Sequence, residues 1–150
     1  WPAAVLLLVM VFAGVGARAF GRDVETIESE MVSVAQWLAG HTEPDDLIAA
    51  HDIGALGFFA GRPILDLAGL ISPEVVALMG DPDALAEYVL ASEARYLVTA
   101  PGWPYPALTG RADVRVVYEA RSRWTKAAGL NSSAVYLLPQ VAAAVEFVIY

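Results

Sequence analysis

Cysteine is absent from the 150 residues. That removes disulfide frameworks and cysteine-ligated metals, and it leaves the redox compartment undetermined. Histidine is scarce: His41 and His51 form no ligand set with metal spacing, so metal binding has little to rest on. No Gly-x-Ser-x-Gly elbow or Walker loop occurs, and Gly54, Gly57 and Gly61 do not spell the dinucleotide fingerprint. No cofactor is implied. Basic residues are the minority, nine against seventeen acids for a net charge of −8, the reverse of the footprint that nucleic acid requires. Internal repeats and low-complexity linkers are missing too.

Charge is missing altogether from Trp1 to Ala17, and Arg18 is the first ionised side chain. At about 1.5 Å per residue this stretch covers roughly 25 Å as a helix, a little less than a ~30 Å hydrocarbon core. It opens in mid-pattern, as expected of a transmembrane helix cut at its N-terminal end. A signal peptide needs a basic region ahead of its apolar stretch, and none is seen here, although Ala13 to Ala17 would serve as a small-residue run. A core helix would carry one polar face, and this stretch has none. The expected division is residues 1–20 as the end of a membrane helix and residues 21–150 as one α/β domain outside it, a length that suits a single core.

Beyond Arg22, apolar residues recur at helical steps as Val24, Ile27, Met31, Val34 and Leu38. This predicts an amphipathic helix ending near Gly40, with Glu25, Glu28 and Glu30 towards its favourable N-terminal end. Strands are expected at 47–51, 63–67, 96–100, 114–119 and 134–138. Short helices are expected at 53–60, after Ser72-Pro73 and after Asp81-Pro82, where a small polar cap precedes proline. The proline-dense stretch 101–106 must be a loop. Early strands that alternate with helices give a small, partly parallel, Rossmann-like sheet with helices on its faces. The closely spaced last two strands give an antiparallel hairpin at one edge. For Val141–Tyr150 a strand, a helix and a truncated continuation all remain open.

In open α/β sheets, ligands bind at the C-terminal edge of the parallel strands. His51 and Asp52 follow the first strand, Asp66 ends the second, and Trp103 and Tyr105 follow the third. These five are the candidate ligand-binding residues: carboxylates, a proton carrier and flat aromatic faces suited to sugars or a membrane interface. The competing structural reading makes Asp52 a helix cap, has Asp66 tie down the Ala68-Gly69 turn, and folds the aromatic rings over the core. Arg121, Arg123 and Lys126 are candidates for anionic lipid or phosphate; otherwise they are a solvated connection between strands.

The run from Asp52-Ile53-Gly54-Ala55-Leu56-Gly57-Phe58-Phe59 through Gly61-Arg62-Pro63-Ile64-Leu65-Asp66-Leu67-Ala68-Gly69-Leu70-Ile71-Ser72-Pro73-Glu74 resembles the C-terminal extracytoplasmic region of bacterial polytopic C-type, protein-mannosyltransferase-like glycosyltransferases. The resemblance implies a cell-membrane protein that uses polyprenyl-phosphate-linked sugars and an unknown acceptor, with membrane lipid as a further partner and its soluble part outside the cytoplasm. The catalytic acids of such enzymes lie in an early loop between the first membrane helices. No catalytic residue therefore carries over, and these residues alone are not expected to be active. Arg18 and Arg22 at the membrane exit pull the other way, since basic flanks favour the cytoplasm. The alternative is a membrane-tethered extracytoplasmic sensory or solute-binding module.

Overall fold

The computed structural model describes residues 1–103 and 105–139. The terminal run 141–150 lies outside the described residues. One unbroken helical rod opens the chain. It consists of α1 (Pro2–Thr26), a π-helical turn at Ile27–Val32, and α2 (Ser33–His41). No residue of α1 is buried. Its length and apolar composition suit a membrane anchor or a signal sequence. The rod enters the domain through the π turn, and the wider turn changes the buried face. Val24 and Ile27 of the expected apolar stripe are exposed, whereas Glu30, Val32, Val34, Ala35 and Leu38 are buried. A π turn adds a residue to the helical repeat, so a stripe counted at 3.6 residues loses its phase there.

Five strands follow: β1 (Leu47–Ala50), β2 (Ile64–Asp66), β3 (Ala94–Thr99), β4 (Arg115–Glu119) and β5 (Ala134–Leu137). They form one mixed sheet in the order β2-β1-β3-β5-β4. β1 is parallel to β2 and β3, with Ala50 beside both Asp66 and Val98. β5 is antiparallel to β3 and to β4. The expected hairpin is present, with β4 at the edge and β5 inside. The strands lie within a residue or two of their expected bounds, because apolar runs of strand length here sit between unmistakable turn residues.

Both faces of the sheet are covered. On one, Val34, Ala35 and Leu38 of α2 pack with Leu56 and Ala60 onto Ile48, Ala50, Tyr96 and Val98. On the other, the 3-10 helix Pro73–Leu78 and α3 (Pro82–Ala91) bring Val75, Leu85 and Val89 onto Ala49 and Leu97. The two crossovers among the parallel strands run in opposite directions over opposite faces, so they share one hand, as the chirality rule for such units demands. Asp81 caps α3 as expected, accepting from the N–H of Asp83 and Ala84. Ser72 makes no side-chain cap, and a 3-10 helix follows it. Arg62 fastens the end of α2 by donating to the carbonyls of Ala39 (2.9 Å) and Thr42 (2.8 Å).

Two short helices lie where loops were expected. α4 (Pro106–Thr109) closes the proline-rich loop, and α5 (Arg123–Ala127) sits inside the connection between β4 and β5. Ser122 caps α5 by accepting from the N–H of Thr125.

Candidate functional site

The chain leaves β1 towards β2 on one side and leaves β3 towards β5 on the other. Adjacent parallel strands whose exits diverge open a crevice at their C-terminal ends, the switch point at which α/β folds bind ligands. His51 and Asp52 stand on one lip, directly after β1. The loop from Ala100 to Tyr105 forms the other.

Three of the five predicted residues are in contact here. His51 Nδ1 lies 2.9 Å from the Tyr105 hydroxyl. The His51 ring stacks on Trp103 with centroids 4.3 Å apart and planes within 20°. Tyr105 holds this position in the left-handed region, at φ 47°, a conformation that costs a non-glycine residue roughly 1–3 kcal/mol. Burial, with Asp66 nearby adding to it, pushes the Tyr105 phenol up to about 12. Burial also lowers the His51 imidazole, against the pull of Asp52 and Asp66. A protonated phenol therefore faces a neutral imidazole, and the tautomer sets the direction of their bond: with the proton on Nε2 the Tyr105 O–H donates to Nδ1, and with the proton on Nδ1 the hydroxyl accepts.

The two aspartates separate. Asp66 is fully buried, and its carboxylate accepts from the N–H of Ala68 (2.8 Å) and Ile71 (2.6 Å). Burial would raise its affinity for a proton, but the N–H groups of Ile71, Ala68, Leu70 and Ser72 outweigh that and hold the carboxyl below the usual range. Gly69, at φ +74°, turns the same loop so tightly that a Cβ would come within 2.6 Å of Val76. Asp66 is thus the hub of a closed loop, the structural role weighed for it above. Asp52 is half-exposed, and its Oδ1 accepts from the Gly54 N–H at 3.3 Å. That bond closes a short turn ahead of the helical segment in place of the expected N-cap, and Asp52 still borders the crevice.

One participant was not among the residues expected at the site. Glu30 projects from the π turn into the protein and is completely buried. Its Oε2 accepts from the Ser133 N–H at 2.5 Å, while Oε1 has no hydrogen-bond partner. A void of about 10 Å³ lies between Glu30, Asp52, Thr99 and Ser133, close to the space one water molecule occupies. On the far side of the aromatic pair, Trp103 and Tyr105 border an apolar cavity of about 170 Å³ with Met79, Leu85 and Pro106. Among the described residues, no three histidine or acidic side chains gather as a metal site.

Arg121, Arg123 and Lys126 lie apart from the crevice, on and beside α5. Arg123 faces the rod, with Nε 3.6 Å from Glu25 Oε1 and its guanidinium 5.0 Å from the Trp124 ring centre.

Over residues 22–150 the chain matches the family described as Domain of unknown function (DUF8728). The chain belongs to this family. The matched region opens four residues past Arg18, after the apolar stretch has ended, and takes in the π turn, the sheet and both lips of the crevice. No curated protein and no solved structure matches the chain.

Proposed function

We propose that the chain is a membrane-proximal, extracytoplasmic part of a polytopic glycosyltransferase that uses polyprenyl-phosphate sugars, and that its crevice receives a sugar of the donor or the acceptor. One observation carries this reading. A neutral imidazole, a protonated phenol and an indole face meet at a switch point, on a domain joined to a membrane-length helix without a break. Sugars suit such a surface, because they stack on aromatic faces and exchange hydrogen bonds with fixed donors and acceptors. With the Tyr105 O–H donating to Nδ1, the Nε2–H of His51 and the Asp52 carboxylate supply one of each.

Two features support an anchor over a cleaved leader. The side chains of Leu6, Leu7, Leu8 and Phe12 are each more than half exposed, which is costly in water and favourable in lipid. The small-residue run Ala13 to Ala17 also lies in mid-helix, in a rod whose far end is fixed in the core. The extracytoplasmic side rests on the family resemblance. An Ala112→Cys variant of this cysteine-free chain tests it. A membrane-impermeant maleimide should label the variant in intact cells, and labelling only after lysis reverses the orientation.

In the full-length protein, Trp103→Ala and His51→Gln should each lower sugar transfer at least tenfold at unchanged expression. Undiminished transfer would reduce the crevice to a structural feature. Loss of solute binding in a protein with no transferase activity would favour the tethered solute-binding module instead.

A further inference from the structure

α5 lies against the part of the rod just beyond the apolar stretch, and a cleft of about 1100 Å³ opens between them. Its charged lining is Arg121, Arg123 and Lys126 against one acid, Glu119. This is a local excess of positive charge on a chain whose net charge is −8. Arg123 meets Glu25 through one long contact at 3.6 Å, so the rest of its guanidinium fork remains for the cleft. No ion pair engages Arg121 or Lys126 among the described residues.

Height along the rod adds a second, independent constraint. Glu25 comes seven residues after Arg18, which is about 10 Å of helix. The headgroup layer of a bilayer reaches roughly 5–8 Å beyond the hydrocarbon on each side. With the apolar stretch in lipid, the Glu25–Arg123 contact therefore stands a few ångströms beyond the headgroups, and Ser29, the first rod residue that lines the cleft, stands about 6 Å further out. From that height the long basic side chains at the membrane end of the cleft extend back towards lipid phosphates.

We propose that this cleft is an anion site, distinct from the crevice, that binds the exposed phosphate of a membrane-anchored molecule through Arg121, Arg123 and Lys126. The inference rests on the membrane reading of the rod but not on what the crevice holds.

Native mass spectrometry of the chain released from detergent micelles tests it, with three probes: phosphatidic acid, phosphatidylcholine and inorganic phosphate. Phosphatidic acid exposes its phosphate, whereas choline masks it in the second lipid. Phosphatidic acid should bind in preference. The double variant Arg121→Gln/Lys126→Gln should weaken that binding about twenty-fivefold, at about fivefold per charge. The control Arg111→Gln/Arg115→Gln removes the same charge away from the cleft and should change binding less than twofold. Equal losses in the two variants would reduce the effect to overall charge and overturn the site, as would no loss in either. Inorganic phosphate that binds with the same dependence on Arg121 and Lys126 identifies a soluble source, and binding of phosphatidic acid alone identifies the membrane. If the chain proves soluble without detergent, the membrane reading fails, while the inorganic phosphate arm still reports on the cleft.

Discussion

Among the described residues two carboxylates are completely buried, Asp66 and Glu30, and they are solved in opposite ways. Asp66, at the end of β2, spends its acceptors on the loop that follows, which folds back over it through the N–H groups of Ala68 and Ile71. Glu30, on the π turn, satisfies one oxygen with Ser133 N–H and leaves the other facing a void beside Asp52. The first is closed and structural. The second is an open acceptor beside Asp52, carried by the same rod that leads to the membrane helix. Burial alone does not distinguish a fastening from a site; the count of satisfied oxygens does.

An isosteric amide swap breaks the comparison most directly. In Asp66→Asn, one oxygen becomes an NH2 that must face a backbone N–H, so a buried donor loses its acceptor. The expected cost is about 2 kcal/mol, read as a lower urea midpoint with an unchanged slope for the micelle-held chain. The sign of the pH dependence follows from the same residue. Its folded-state carboxyl is held below the ordinary value, so the unfolded chain takes up the proton first. The stability that Asp66 contributes is therefore present above the normal carboxylate range and is lost as pH falls through it towards the folded value. Asp66→Asn should remove that part of the acid limb. An acid limb unchanged by the substitution would contradict the account.

Glu30→Gln should behave differently. Its carbonyl oxygen still accepts from Ser133, and its NH2 replaces the acceptor that had no partner. Stability should hold or rise, within about 1 kcal/mol. A loss as large as that of Asp66→Asn would mean that Glu30 is another structural hub and that the void has no bearing on the crevice.

The strands, the Asp81 cap and the loop-fastening role of Asp66 were legible in the sequence, because strand-length apolar runs and the polar residues next to them obey local rules. Convergence of His51, Trp103 and Tyr105 was legible as well, since each follows a strand expected to be parallel or next to one, and topology then brings the strand ends together. Glu30 was not. A helical wheel assumes 3.6 residues per turn, and the π turn at Ile27–Val32 breaks that count where the helix enters the core, exposing Ile27 and burying Glu30. α5 escaped for a different reason. Five residues are too few for an apolar stripe, and its one strong sign, Ser122 as a cap, is indistinguishable from any loop serine until Thr125 N–H is seen to meet it. The place of Arg123 beside Glu25 follows from α5 and so was hidden with it.

The smallest expected effect is also the most local. Tyr105→Phe keeps the ring and its left-handed backbone and removes only the hydroxyl that meets His51. The chain contains two histidines, so the two imidazoles can be followed separately by NMR. Burial lowers the His51 imidazole in the folded protein, so the unfolded chain binds its proton more readily. The stability tied to His51 is then present above the ordinary histidine value near 6.5 and declines as pH falls below it. The donated hydrogen bond from Tyr105 holds the neutral ring, so its removal should move the His51 titration upward while the fold loses about 1 kcal/mol or less. If the titration moved downward instead, the proton would lie on Nδ1 and the hydroxyl would be the acceptor, a bond that favours the charged ring. The crevice would then present a bare Nε2 acceptor to its ligand in place of an N–H donor, and the polarity of the ligand group opposite would reverse with it.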